Sequence, residues 1–274
     1  KGRNNFEKIR YEYYADTTAA FEGFKAGEYT FRSENSSQKW AQDYNFPAIA
    51  KGIIKKEAIP DGNLGAAQAF FFNIRLDKFK DPKVREALGL MFNFEWSNKT
   101  LFYDLYARIN SFWENSDMSA EGKPSKDEMN ILQSVESILP DNIIDSEVAQ
   151  VSFSSTKQLD RKNLRMASKL LDEAGWEVSS DGLRKNSNGE TLDVEILNDS
   201  QAFTRIIEPF IQNLISLGVN AKHTKIDNAQ MTERERSFDF DIVTGNFPMS
   251  FTPGSGLKQY FGSETADISI FNKA

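Results

Sequence analysis

The chain has no cysteine and a single histidine in 274 residues. The first absence removes disulfides, thiolate nucleophiles and cysteine-ligated metals together, and is compatible with an oxidising compartment. The second leaves any Ser-His-Asp relay dependent on His223 alone, and no nucleophile elbow of the form GxSxG is present. Between Lys222 and Lys225, His223 reads as a polar strand histidine near the surface. Metal sites recruit histidine, cysteine or clustered carboxylates, and neither such a ligand set nor a cofactor motif is legible. Asp239 and Asp241 alternate with Phe238 and Phe240, which reads as an acidic sheet edge. Gly254 and Gly256 make no phosphate loop, because no Lys-Ser/Thr follows and no helix is clearly opened. A carboxylate pair of the glycosidase kind stays open as an alternative, since its partners need only meet in space.

Cations are in deficit as well. Thirty-three Lys and Arg against 40 Asp and Glu leave a net charge of −7, which argues against nucleic acid or an anionic membrane as partner. No apolar run approaches the ~20 residues that a membrane-spanning helix needs.

What the chain does have is apolar bulk. Hydrophobic residues make up 39%, with 22 Phe and 4 Trp, enough for a sizeable core. The pattern is organised around residues 66–94. The run from Ala69 to Ile74 is short and bounded, as for a buried strand. Asp81 then stands where an N-cap acceptor belongs, and Pro82 at the first helical position. Val84, Ala87, Leu88 and Met91 recur at i, i+3, i+4 and i+7, placing one apolar stripe on a helix. A buried strand feeding such a helix is the unit of an α/β lobe.

Taken in order, residues 6–14 alternate apolar and charged side chains, as in a half-exposed strand. Asp16 or Thr17 caps a helix with Ala20, Phe21 and Phe24 inside, and Gly27 ends it. Tyr29 to Arg32 reads as a strand, Ser36 or Ser37 caps a brief helix carrying Trp40, and Gly52 to Ile59 reads as another strand. Pro60 to Asn63 forms a turn cluster. After Met91 a helix restarts at Glu95, with Trp96, Leu101, Phe102 and Leu105 apolar. Residues 110–160 read as a surface excursion with too few apolar residues for a core of its own. Within it, Ser125 and Glu128 fit a capping box for a helix that Pro140 ends. Asp160 to Gly175 is the cleanest helix, striped by Leu164, Ala167, Leu170, Leu171 and Ala174. A hairpin turn at Asn186 to Gly189, a strand from Thr191 to Leu197, a helix from Phe203 to Leu217 and a strand from Val219 to Ile226 follow. The last strand is Phe238 to Phe247. It runs into GNFPMSFTPGSGLKQY (Gly245 to Tyr260), whose Phe247 and Phe251 interleave with Asn246, Ser250, Thr252 and prolines. Aromatics supply apolar area while small polar groups fix orientation, which suits a ligand wall.

The spacing FNxRxxxFxDPxVREALxxxF, here Phe72, Asn73, Arg75, Phe79, Asp81, Pro82, Val84, Arg85, Glu86, Ala87, Leu88 and Phe92, resembles family 5 extracellular solute-binding proteins, the peptide and nickel receptors of ABC importers. FKAGEYTF (Phe24 to Phe31), LLDEAGWE (Leu170 to Glu177) and NDSQAF (Asn198 to Phe203) also resemble segments of that family. NSFWENSDM (Asn110 to Met118) and the GNFPMSFTPG wording are similar to its Yej-type subgroup, which imports oligopeptides and microcin C.

The resemblance implies one lobe of a type II periplasmic-binding-protein fold, a central mixed sheet flanked by helices. Residues 1–274 would form that single α/β lobe, the second of a longer receptor and an excised or processed piece of it. It further implies a periplasmic monomer that captures oligopeptides for ABC permease subunits, without covalent chemistry or a cofactor. The rival class is an extracytoplasmic hydrolase of peptides or glycans. Asn73, Phe203, Asn246, Phe247, Ser250 and Phe251 are expected to line the cleft. Phe247 falls where the family has tryptophan. Ser250 falls where many peptide receptors place the aspartate that pairs with the ligand's α-ammonium, and Thr244 where some have arginine. A buried ammonium needs an anion. Either the amine is recognised elsewhere or the ligand lacks a free terminus.

Overall fold

A computed structural model describes residues 5–60, 62–139, 143–266 and 268. The chain divides into two compact units, Lys1–Pro60 and Asp61–Ala274. Asp61 of the expected turn cluster and the expected helix stop at Pro140 lie outside the described residues.

In the first unit Asp16 caps α1 (Thr17–Ala26), accepting from the N–H groups of Thr18 and Ala19, and Gly27 closes it at φ 81°. That left-handed value is the one glycine adopts without Cβ strain. Ser36 caps α2 (Ser37–Gln42), and α3 (Pro47–Ala50) follows. Phe21 and Phe24 are buried and meet Tyr44 ring to ring. Beside them Glu34 accepts from Arg32, Ser36 and Tyr44. Burial works to raise the Glu34 pKa, but these donors outweigh it and hold the carboxyl below its ordinary value. The strands expected at 6–14, 29–32 and 52–59 do not form. Alternation makes a strand only where a neighbouring ladder accepts its backbone bonds, and no ladder reaches them among the described residues. Phe6, Tyr13, Phe31 and Ile53 are correspondingly exposed.

The second unit runs β1 (Ala67–Phe72), α4 (Asp77–Lys80), α5 (Pro82–Gly89), α6 (Phe94–Leu101), α7 (Lys126–Ser134), α8 (Arg161–Glu173), β2 (Glu177–Val178), β3 (Arg184–Lys185), β4 (Asp193–Asn198), α9 (Gln201–Ser216), β5 (Asn220–Lys225), α10 (Asn228–Arg236), β6 (Ile242–Phe247) and α11 (Gly256–Phe261). Four strands form a mixed sheet in the order β1-β6-β4-β5 among the described residues. β4 is parallel to both neighbours, and β1 is antiparallel to β6.

Helices cover both faces. Phe70, Phe72, Val194, Ile196 and Ile242 join the large cluster with Val84, Ala87, Leu88, Met91, Ala167, Leu171, Ile207 and Leu214. Phe71, Leu197 and Val243 point the other way, to Met231 and Phe240. Burial on both sides is why the β1 sequence AQAFFF ends in an unbroken apolar run rather than alternating.

Residues 73–85 hold local structure of this core together. The Asn73 amide donates to the carbonyl oxygens of Phe238 at 2.8 Å and Phe240 at 3.0 Å. Asp81 caps α5, and Arg85 donates to the Phe79 and Lys80 carbonyls that α4 leaves open. The final strand starts at Ile242, not Phe238, because Phe238 holds φ 54° within the turn that Asn73 clamps. Left-handed Tyr103 and Asp104 end the chain's run after α6, which turns Leu105 outward.

Candidate ligand-binding site

In an open α/β sheet, ligands bind outside the carboxyl ends of the parallel strands, where successive loops diverge. Here those ends are Asn198, Lys225 and Phe247, together with the antiparallel start of β1. The 110–118 segment is tied to that end. The Gly65 N–H donates to the Glu114 carbonyl at 3.0 Å, and the Trp113 indole N–H donates to the Ser250 carbonyl at 3.1 Å.

Phe247 anchors the arrangement from beneath. It is 5% exposed and meets Phe71 at 4.7 Å, Tyr260 at 4.8 Å, Phe112 at 5.8 Å and Phe261 at 5.9 Å between ring centroids. The near-perpendicular pairs with Phe71 and Tyr260 are the edge-to-face geometry that ring quadrupoles favour. Gly245 makes room for this: a Cβ there would lie 2.7 Å from the Phe71 ring. Tyr260 also lines a hollow of about 260 Å³, together with Trp113, Met249, Ser250, Leu257 and the Pro/Gly positions 248, 253, 254 and 256. The Ser250 hydroxyl donates to the Thr252 carbonyl at 2.6 Å.

Of the expected cleft residues only Ser250 lines this hollow; Phe247 packs against Tyr260, which lines it, Asn246 lies on the other face of β6, and Phe251 follows Ser250 in the chain. Asn246 and Ser250 are exposed, Phe251 is 59% exposed, and Phe247 is the buried support. Phe203 shares the carboxyl end, half-buried in the first turn of α9 against the main core. Asn73 is not brought to them. The β1–β6 register runs from Ala67↔Phe247 to Phe72↔Ile242, which puts Asn73 at the far end of a ladder about 17 Å long. Its amide is occupied by the carbonyls of Phe238 and Phe240.

Trp113, Met249, Leu257 and Tyr260 are additions that sequence reasoning did not single out. Their signal was present in NSFWENSDM and in the 245–260 segment, but only folding joins the two. The helix α11 opens at Gly256, where no helix start was legible. It carries Leu257 and Tyr260 to the hollow.

A second hollow, of about 330 Å³, lies at the opposite, amino end of β4 and β5 and is lined by charged groups that include Asp193, Glu195, Lys222 and Asp241. Those groups are satisfied internally. Glu195 accepts from Thr224 at 2.7 Å and pairs with Lys222 at 2.9 Å and Arg234 at 2.8 Å. Burial works to raise its pKa, yet the hydrogen bonds from Lys222, Thr224 and Arg234 prevail and hold it at about 2. Asp241 pairs with Lys78 at 2.8 Å and accepts the Glu195 N–H, so it is a buttress inside the sheet and not an exposed acidic edge. His223 is more enclosed than a surface strand position implies. Its side chain is 7% exposed, with Nδ1 2.8 Å from Glu208 and Nε2 against the Asn198 amide. Both ring nitrogens are thus engaged, one by the Glu208 carboxylate and one by the Asn198 amide.

The family profile described as "Bacterial extracellular solute-binding proteins, family 5 Middle" matches residues 1–267. The probable peptide-binding protein YejA of Agrobacterium fabrum is 40% identical over 269 residues, 97% of this chain and 44% of that protein. This chain therefore spans less than half the length of that relative. Solved structures that share the fold include two from other bacteria. NikZ from Campylobacter jejuni in complex with Ni(L-His) superposes with a TM-score of 0.63 at 17% identity, over 94% of this chain and 44% of its own. The oligopeptide-binding protein AppA from Bacillus subtilis in complex with a nonapeptide gives 0.59 at 19%, with the same coverage. The architecture is that of type II periplasmic-binding proteins, with its mixed sheet flanked by helices. Among the described residues no helix is long and apolar enough to cross a membrane. On the match of residues 1–267, the chain belongs to family 5 of the bacterial extracellular solute-binding proteins, a family of solute receptors.

Proposed function

We propose that this chain supplies one lobe of a periplasmic ABC-importer receptor that captures oligopeptides and passes them intact to membrane permease subunits. The observation that carries the reading is the aromatic-walled hollow at the carboxyl end of the sheet, in a chain of this family. Its relatives point to the ligand class: one is named as a probable peptide-binding protein and another is solved with a nonapeptide. Phe203, Asn246, Ser250 and Phe251 border the ligand cleft, Phe247 supports it, and Asn73 acts through the turn it clamps. Peptide is held by side-chain pockets and by hydrogen bonds, some through water, with no bond made or broken. Closure of two lobes around the ligand is what the permease reads.

The test is to incubate the full-length receptor with an oligopeptide pool and examine bound and free fractions by mass spectrometry. Peptides recovered bound and uncut support the reading. Cleaved peptides would establish the hydrolase alternative, and a receptor that retains no peptide would sink the proposal.

A further inference from the structure

We propose that the hollow between Trp113 and Tyr260 accepts one uncharged, apolar side chain of the bound peptide, so that the receptor selects for such a residue at one ligand position. The inference rests on the peptide-receptor reading and adds a specificity to it. Size sets the first limit. At about 260 Å³ the hollow falls below the roughly 300–1,000 Å³ of pockets that bury a whole small molecule and has room for a single side chain of any size.

Charge sets the second. No Asp, Glu, Lys, Arg or His lines the hollow. Two of its donors are also engaged within the protein: the Trp113 N–H is held by the Ser250 carbonyl, and the Ser250 hydroxyl proton by the Thr252 carbonyl. An ammonium or carboxylate entering here would lose water without meeting an opposite charge, which is unfavourable. An apolar side chain would gain contact with the Trp113, Met249, Leu257 and Tyr260 side chains. The second hollow makes the contrast, because Glu195, Lys222 and Asp241 give it charge of both signs.

Rigidity completes the case. Tyr260 is braced edge-on by Phe247 at 4.8 Å, and Trp113 is pinned through its indole nitrogen. A preformed apolar wall loses little side-chain freedom when a ligand arrives, which favours affinity.

The experiment measures binding of pentapeptides Ala-Ala-Ala-Ala-Ala in which each position in turn is replaced by Leu, Phe, Lys or Asp, using the full-length receptor, its Trp113→Ala and its Ser250→Asp variants. At one position Leu or Phe should bind roughly tenfold or more tightly than Lys or Asp, as burial of one apolar side chain implies. Trp113→Ala should reduce that preference several-fold at the same position. Ser250→Asp adds a carboxylate at an exposed site without removing a wall, and should shift the preference there toward Lys; it keeps the test decisive if Trp113→Ala does not fold. Equal binding of all four residues at every position, or an unchanged preference in Ser250→Asp, overturns the inference while leaving a peptide receptor in place. Failure of the parent receptor to bind any of the pentapeptides or a broader peptide pool overturns the peptide reading itself, and this inference with it.

Discussion

The indole N–H of Trp113 donates to the backbone carbonyl of Ser250 at 3.1 Å, across 137 residues of sequence. That one bond joins a loop from the middle of the chain to the loop after β6. Trp113→Phe keeps most of the aromatic area and deletes the donor. The expected cost is about 0.5–1.5 kcal/mol, with faster hydrogen exchange across residues 248–253. Unchanged exchange there would show that the two loops are held by other contacts.

Asn73 is 1% exposed, and its amide satisfies the Phe238 and Phe240 carbonyls. Asn73→Ala leaves both acceptors without it inside the protein, where an unmet partner costs about 1–3 kcal/mol. Urea denaturation should show the loss. A midpoint identical to the parent's would mean that water or a shifted backbone replaces the amide.

Arg184 is the largest fully buried side chain, at 1% exposure. Its guanidinium donates to the Leu217 and Trp176 carbonyls, to Asp172 at 2.7 Å and to Ser168. Four directions are met by one planar fork, which a lysine cannot reproduce. Both Arg184→Lys and Arg184→Ala should therefore destabilise, the second by about 1–3 kcal/mol for each carbonyl left without its donor inside the protein, whereas Asp172 is half exposed and can turn to water. Thermal melts compare them directly, and near-parental stability of the lysine variant would refute the claim.

Glu195 has a pKa of about 2 in the folded chain against an ordinary 4.5. The folded state binds this proton less readily than the unfolded chain, so the carboxylate stabilises the fold above about pH 4.5. That contribution declines as pH falls from there toward 2. Glu195→Gln should be less stable than the parent at pH 7, with the gap narrowing through this window. Parallel pH–stability curves for the two proteins would contradict the assignment.

Much of the second unit was legible before folding. Asp81 and Ser125 cap helices where local pattern placed them, and in the first unit the structure chooses Asp16 over Thr17 and Ser36 over Ser37, because a cap involves only three or four neighbouring residues. The stripes Val84–Ala87–Leu88–Met91 and Ala167–Leu171 are buried as their spacing required. The alternating segments at 6–14, 29–32 and 52–59 were misread for the converse reason: a strand depends on a partner that its own sequence does not contain.

By itself, then, the sequence determined the family, the apolar stripe of α5 and the absence of thiol chemistry, all of which live in composition and short-range order. Only the tertiary structure decided which residues meet. It set Asn73 at the wrong end of β1 for the hollow, turned Phe247 from a wall into a support, and brought Trp113 to Ser250 and Tyr260. Strand order and loop placement govern such encounters, and they depend on contacts among residues far apart in the chain, where no periodicity reaches.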